Sequence, residues 1–405
     1  MRAYERFLGY VKTHTASIDD LSVTPSTQCQ FDLSRALEKE MKTIGMEGAY
    51  VDEHAYVYGY IPATPGYEDK PCIAFNAHLD TIPEFPGNNV QPRLIENYDG
   101  GDIILGTSGR VISKKDFPEL PNLKGQTVIC TDGTTVLGAD DKAGIAEIMT
   151  ACERVIAENI PHGRISVCFS PDEEIDHGGD LMDLDRMNAD FGYTVDGGDI
   201  DEINCETFNA SAAVFEIEGF SVHPGSAKNV MRNACLIAME INSMLPAGDT
   251  PAHTEDHEGF FHLHEMEGGV TNAKLVYIVR DHDAEKFANR EEMLRHIEKL
   301  INEKYGEGTA KLSIREQYRN MYEQVQKRPE VIALAEAAVK EMGMTPKFVP
   351  IRGGTDGAHL SERGLVCPNL GTGGFGFHGP YEHITVERLD QVTELLLNII
   401  KLNIK

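Results

Sequence analysis

The feature that most constrains this chain is an alternation. Short, almost wholly apolar runs take turns with amphipathic helical segments, and one long stretch breaks the pattern. CIAFNAHLD precedes the helical DKAGIAEIMTACERVIAEN, which precedes RISVCFSPDEE; later, VIALAEAAVKEMGM precedes TPKFVPIRGG. Strands apolar on both faces need helices on both faces, so the pattern predicts an α/β fold with a mixed sheet between helices. In the first of these helices Ile145, Ile148, Met149, Cys152 and Ile156 form one apolar stripe. The last helix is expected to begin near Thr385 as its N-cap and to bury Leu389, Val392, Leu396 and Ile399.

The break runs from about Ser211 to Ile314. AAVFEIEGF, MRNACLIAMEINSML, GFFHLHEMEGG, NAKLVYIVRD, AEKFANREEMLRHIEKLINEKYG and TAKLSI read in the order βαββαβ. This is the ferredoxin-like unit, which can fold as its own layer of helices on an antiparallel sheet. The reading is therefore an inserted α+β domain at 209–317, within a discontinuous α/β domain formed by 1–208 and 318–405.

Composition narrows the partners. Lys and Arg number 37 against 65 Asp and Glu, a formal charge of −28, which disfavours nucleic acid and anionic membrane surfaces. The start, MRAYERFLGYVKTHTAS, carries Arg2, Glu5, Arg6 and Lys12 where a secretory signal needs an apolar run, so a cytoplasmic location is expected. The late run LLLNIIKLNI is interrupted by Asn398, Lys401 and Asn403, and no other stretch is long and apolar enough to span a bilayer. The eight cysteines are widely spaced with no CxxC pair, and read as reduced core residues, not as a thiolate zinc site or a disulfide framework.

The informative polar residues follow the apolar strands, where open α/β sheets place their ligand sites. His78 and Asp80, two apart in an extended segment, face the same way, and Asp80 is placed to hold the second nitrogen of a ligating His78. Alone, His-x-Asp fits a surface loop or a structural histidine equally well. Asp140 and Asp141 precede a helix, where aspartate commonly serves as a cap. Asp172, Glu173, Glu174 and Asp176 follow a strand; such a run is ordinarily a solvated turn, but adjacent glutamates can also divide metal binding and proton transfer. Asp196 precedes two glycines, and His378 lies in the glycine-rich GTGGFGFHGPYEHIT. From these, two histidines and three carboxylates can be drawn as ligands, a mix suited to a pair of zinc, manganese or cobalt ions.

With NAHLDT, GADDKAG, SPDEEI, TVDGGD, VHPGSAKNVMRNA, RGGTDGA and GFGFHGPYE in that order, the chain resembles the tripeptide-aminopeptidase branch of the co-catalytic zinc metallopeptidases over essentially its whole length. That family includes aminoacylases and glutamate-releasing carboxypeptidases. The resemblance implies removal of the N-terminal residue from tripeptides by hydroxide activated between two zinc ions per subunit. It implies His78 and Asp196 on the first zinc, Glu174 and His378 on the second, and Asp140 bridging them. Glu173 is then the general base and Asp80 orients His78. His223, Asn272, Arg280 and Arg352 match positions that hold the substrate, the arginines suiting a peptide carboxylate. The inserted domain is then a lid or dimerisation domain, and a homodimer is implied. If this domain closes onto the zinc ions, the span from zinc to arginine measures substrate length.

A related two-zinc dipeptidase, carboxypeptidase or N-acyl amino acid hydrolase would carry the same metal motifs. A non-catalytic metal-dependent binding protein would need no Glu173 beside Glu174. His262 and His264, alternating on a strand as HLH, read as its exposed face, His253 and His257 read as residues of a mobile loop, and His177 and His383 match no ligand position.

Overall fold

The alternation becomes one large mixed sheet. A computed structural model describes residues 1–19, 22–106 and 108–405, in two compact units. The first comprises Met1–Cys205, Met321–Val349 and Thr355–Lys405; the second comprises Glu206–Asn320 and Pro350–Gly354.

At the centre of the first unit's eight-stranded sheet lie four adjacent parallel strands, in the order Ile165–Ser170, Ile73–His78, Phe191–Gly197 and Asn369–Gly371. Antiparallel strands Val57–Ile61 and Glu47–Val51 extend one side. On the other side Glu202–Asn204 pairs antiparallel with Asn369–Gly371, and Lys347–Phe348 pairs parallel with Glu202–Asn204. Every residue of Ile73–His78 and Ile165–Ser170 is buried, as an all-apolar strand between helices requires.

Helix Ala139–Ala157 departs from the striped helix read from its sequence. Ile145, Ile148, Met149 and Cys152 are buried, but so are Ala143, Gly144, Ala146, Glu147 and Thr150 on the other faces, while Ile156 is only half-buried. The helix packs on the sheet and also against Ala3–Tyr10 and Val386–Leu402, so small residues are needed all round it. At Gly144 the fit is closest: a Cβ there would meet the Val195 carbonyl oxygen. The C-terminal helix Val386–Leu402 follows expectation, with the Thr385 hydroxyl accepting the Arg388 N–H at 3.2 Å and Leu389, Val392, Leu396 and Ile399 fully buried.

The second unit carries strands and helices in the order βαββαβ: Asn209–Glu218, Ala234–Ser243, Phe260–Gly268, Asn272–Asp281, Ala284–Tyr305 and Ala310–Tyr318. Its antiparallel sheet places Phe260–Gly268 beside Asn272–Asp281, then Asn209–Glu218, then Ala310–Tyr318. Ala213, Phe215 and Ile217 alternate along one strand, and Leu275, Tyr277 and Val279 along its neighbour. Both sets point into a core closed by Ile237, Ile241, Phe287, Leu294 and Ile301 of the two helices. The last strand runs to Tyr318, beyond the TAKLSI core read from sequence. No disulfide joins the eight cysteines; Cys29, Cys205 and Cys235 are half-buried and the other five buried. Among the described residues no helix is long and apolar enough to cross a membrane.

Candidate metal centre

Because the four central strands run parallel, their carboxyl ends open on one edge of the sheet. His78 ends its strand, with Asp80 two residues on; Glu173 and Glu174 start a short turn after Ser170; Asp196 is near the end of Phe191–Gly197; and the segment after Gly371 carries His378. All these residues belong to the first unit.

Their side chains converge. His78 Nε2 lies 2.9 Å from Asp140 Oδ1, 3.7 Å from Asp196 Oδ1 and 3.8 Å from Glu173 Oε2. His378 Nε2 lies 3.1 Å from Asp140 Oδ2 and 3.0 Å from Glu174 Oε2. Asp140 thus presents one oxygen to each histidine. His78 is buried, whereas His378, with a φ of 62°, reaches in from an exposed position.

The paired aspartates, joined by a cis peptide bond, divide their work. The Asp141 carboxylate accepts the Gly144 N–H, three residues on, at 3.2 Å, and the His78 N–H at 3.1 Å. Asp141 is therefore the cap that aspartate ordinarily supplies. Asp140, held outside helical geometry, is left to face the histidines. Asp141 also has an oxygen within 4.8 Å of donor atoms on His78 and Asp196, a placement the sequence reading did not assign.

The acidic turn is not solvated. Asp172 is fully buried and accepts the Ser26 N–H at 2.6 Å, the Ser26 hydroxyl at 2.7 Å and the Gln30 amide at 2.6 Å. Asp80, also fully buried, accepts the N–H of Glu173 at 3.0 Å and of Glu174 at 3.3 Å. Its Oδ1 is 3.4 Å from His78 Nδ1, a buried nitrogen with no other acceptor. One carboxylate thus fixes the glutamate pair and faces the histidine.

The electrostatics are those of too many carboxylates in a dry place. Burial, followed by the Asp196 charge, pushes Glu173 well above the usual carboxylate range. Burial and Asp140 raise Glu174 to about 8, and burial raises Asp196 to about 6. Burial opposes ionisation of Asp140, yet hydrogen bonds with His378 and His78 hold it below its ordinary value. Hydrogen bonds to Asp140 and Glu174 push His378 up to about 11. Burial works against protonated His78, but Asp140, Asp196 and Asp80 outweigh it and raise its pKa. Divalent cations relieve such crowding without protons. Ligand bonds of about 2.0–2.2 Å separate atoms on one tetrahedral ion by roughly 3.3–3.6 Å, close to the spacings seen here. The imidazole and carboxylate donors fit divalent metal ions.

The four residues read as substrate-binding lie in the second unit. His223 is exposed, its Nδ1 accepting the Gly225 N–H at 3.1 Å, and Asn272 is an exposed strand-end residue. Arg280 is buried under Tyr318 and donates to the carbonyls of Ser211 and Val279 and to the Gln317 side chain, at 3.0–3.3 Å. Arg352 donates to the carbonyls of Asp256 and Glu258 at 2.8 and 2.9 Å and to the Thr254 hydroxyl at 2.9 Å. The histidines set aside have other contacts: His177 with Asp180, His257 with Glu206, His253 with Thr250, and His262 with His264.

The fold and donor set define a metal-dependent hydrolase built at the edge of a parallel sheet. The chain belongs to Peptidase family M20/M25/M40, whose model matches residues 138–402, and is a metallo-exopeptidase. It is 49% identical, over 99% of its length and 98% of the relative's, to a protein named Peptidase T from Clostridium perfringens (strain 13 / Type A). The fold is that of aminopeptidase PepT from Bacillus cereus ATCC 10987, with a TM-score of 0.80 at 24% identity over 100% of this chain and 98% of that one. A dinuclear metal-binding peptidase of the M20 family from Bacillus subtilis gives a TM-score of 0.66 at 15% identity, covering 99% and 98%. The resemblance read from seven ordered motifs is borne out.

Proposed function

We propose that the chain is a two-zinc aminopeptidase that removes the N-terminal residue from tripeptides. The carrying observation is Asp140, whose two oxygens each face a histidine, His78 on one side and His378 on the other. In this reading His78 and Asp196 hold one ion, Glu174 and His378 the other, and Asp140 both. Bound zinc would polarise the scissile carbonyl and make water a competent nucleophile at neutral pH.

The protein's own groups do the rest. Glu173 takes the proton from the attacking water and returns it to the leaving amine; its raised pKa suits a group that must both accept and give. Asp80 keeps the Glu173–Glu174 turn and His78 in register, and such precision matters when misplacement of about 1 Å can cost about a hundredfold. Arg280 and Arg352, with guanidinium planes fixed by carbonyl oxygens, are proposed with Asn272 to hold the substrate's polar groups, and His223 to assist the developing oxyanion. The peptide class is supported by the Peptidase T relatives. A cytoplasmic homodimer belongs to the same reading.

The test is amino-acid release from di-, tri- and tetrapeptides, and from N-acetylated and C-amidated tripeptides, with zinc content measured alongside. The tripeptide with free termini should be turned over fastest. Glu173→Ala should keep two zinc ions and lose about 10²–10⁴-fold in kcat. Wild-type turnover by that variant would remove Glu173 from the mechanism.

A further inference from the structure

Behind Asp140 lies a carboxylate that the reaction scheme does not use. Glu382 is only 1% exposed, and its charge acts on the buried ammonium of Lys142. Its Oε2 accepts the N–H of Leu137 at 2.6 Å and of Gly138 at 2.7 Å, and its Oε1 accepts the N–H of Asp140 at 2.8 Å. Three backbone donors of the segment that delivers Asp140 therefore converge on one side chain. Gly138, at a φ of 79°, takes the left-handed conformation that turns this segment, which glycine adopts without penalty.

Glu382 is itself anchored. Its neighbour His383 begins the short strand His383–Thr385, paired antiparallel with Val128–Cys130. Phe375 and His383 exchange backbone hydrogen bonds at 2.9 Å in both directions, closing the neck of the loop that carries His378. Phe117 packs edge-on to the His383 ring. One loop, closed at its neck, thus sends His378 to one oxygen of Asp140 and Glu382 to the backbone of the same residue.

We infer that Glu382 is a positioning residue that sets the place of the bridging carboxylate, and through it the affinity for both metal ions. The inference rests on the two-metal reading above. A carboxylate is required chemically: three N–H groups meet two acceptor oxygens, and a glutamine would turn an NH2 toward one of the donors. Because Asp140 faces both histidines, displacing it weakens both sites together.

The experiment is zinc titration against a competing chelator on metal-free wild type, Glu382→Ala and Glu382→Gln, with circular dichroism and thermal melting. Glu382→Ala should lower the affinity of both sites by about 10–100-fold, and Glu382→Gln by less, in the folded protein. A merely structural residue would lower the melting temperature and leave the affinity of the folded fraction unchanged, and that result overturns the inference. If Glu382→Ala does not fold, Glu382→Gln decides by the same criterion. If neither folds, hydrogen exchange in the metal-free wild type decides: protected amides at Leu137, Gly138 and Asp140 support the brace, and amides exchanging at the rate of open loops refute it. A wild type that binds fewer than two zinc ions would instead sink the two-metal reading, so the two failures are distinguishable.

Discussion

The strand-end carboxylates of the first unit and the arginines of the second make opposite use of buried charge. Arg280 and Arg352 have donors matched to carbonyl and hydroxyl oxygens of their own unit, so the fold itself holds their charge in place. Glu173, Glu174, Asp140 and Asp196 are instead crowded against one another, and burial pushes all four toward the protonated form, prevailing at Glu173, Glu174 and Asp196. A folded chain tolerates such crowding where a cation is to take up the charge. The arginines are held by their own unit, whereas the crowded carboxylates form the candidate metal site.

The comparison breaks most severely at Asp140. Asp140→Ala should lose zinc at both sites and cut kcat/KM by roughly a thousandfold or more, since metal assistance is worth several kcal/mol. Metal analysis after dialysis, with steady-state kinetics, checks this; retention of two tightly held ions would mean that Asp140 is no bridge. Asp80→Asn keeps the shape but can no longer accept from both N–H groups and face His78 as a carboxylate. A loss of about 10–100-fold in zinc affinity or activity is expected, read by the same chelator competition.

In the second unit the expected effect is on stability. Arg280→Ala should remove about 1.5–3 kcal/mol from the unfolding free energy, the range for a hydrogen-bonded charged group, and leave zinc content unchanged. Denaturant titration beside metal analysis measures both; a loss of zinc would erase the contrast between the units. The smallest effect is expected at Glu147, fully buried with neither carboxylate oxygen hydrogen-bonded, its pKa raised well above the ordinary value by burial. The sign follows from linkage: with the folded pKa above the unfolded one, its stability contribution is fully present below the unfolded pKa and is lost as pH rises toward the folded one. Glu147→Gln should flatten that decline in unfolding experiments between pH 5 and 8; parallel curves would place the pH dependence elsewhere.

Much of this was legible before any coordinates. Period-two alternation in AAVFEIEGF marked the strand whose Phe215 and Ile217 are buried, and Thr385, a residue type suited to an N-cap, marked a helix start that proved to be a hydrogen-bonded cap. Such patterns are local, and local periodicity follows from backbone geometry. The all-round burial of Ala139–Ala157 was not legible, because a chain does not record how many neighbours its helix will meet. Glu382 ends GFGFHGPYE with nothing local to mark its role, since its partners are backbone N–H groups more than 240 residues away, and any residue type except proline can supply those.

By itself, then, the sequence determined the two architectures, the order of their elements and a short set of candidate acids and histidines. Only the tertiary structure decided that Asp141 caps while Asp140 faces the histidines, that Asp172 braces while Glu173 and Glu174 line the centre, and that Arg280 and Arg352 are tied to carbonyl oxygens. The physical reason is range. Hydrophobic period and capping act over a few residues, whereas convergence at the metal centre depends on parallel pairing and register among strands distant in sequence.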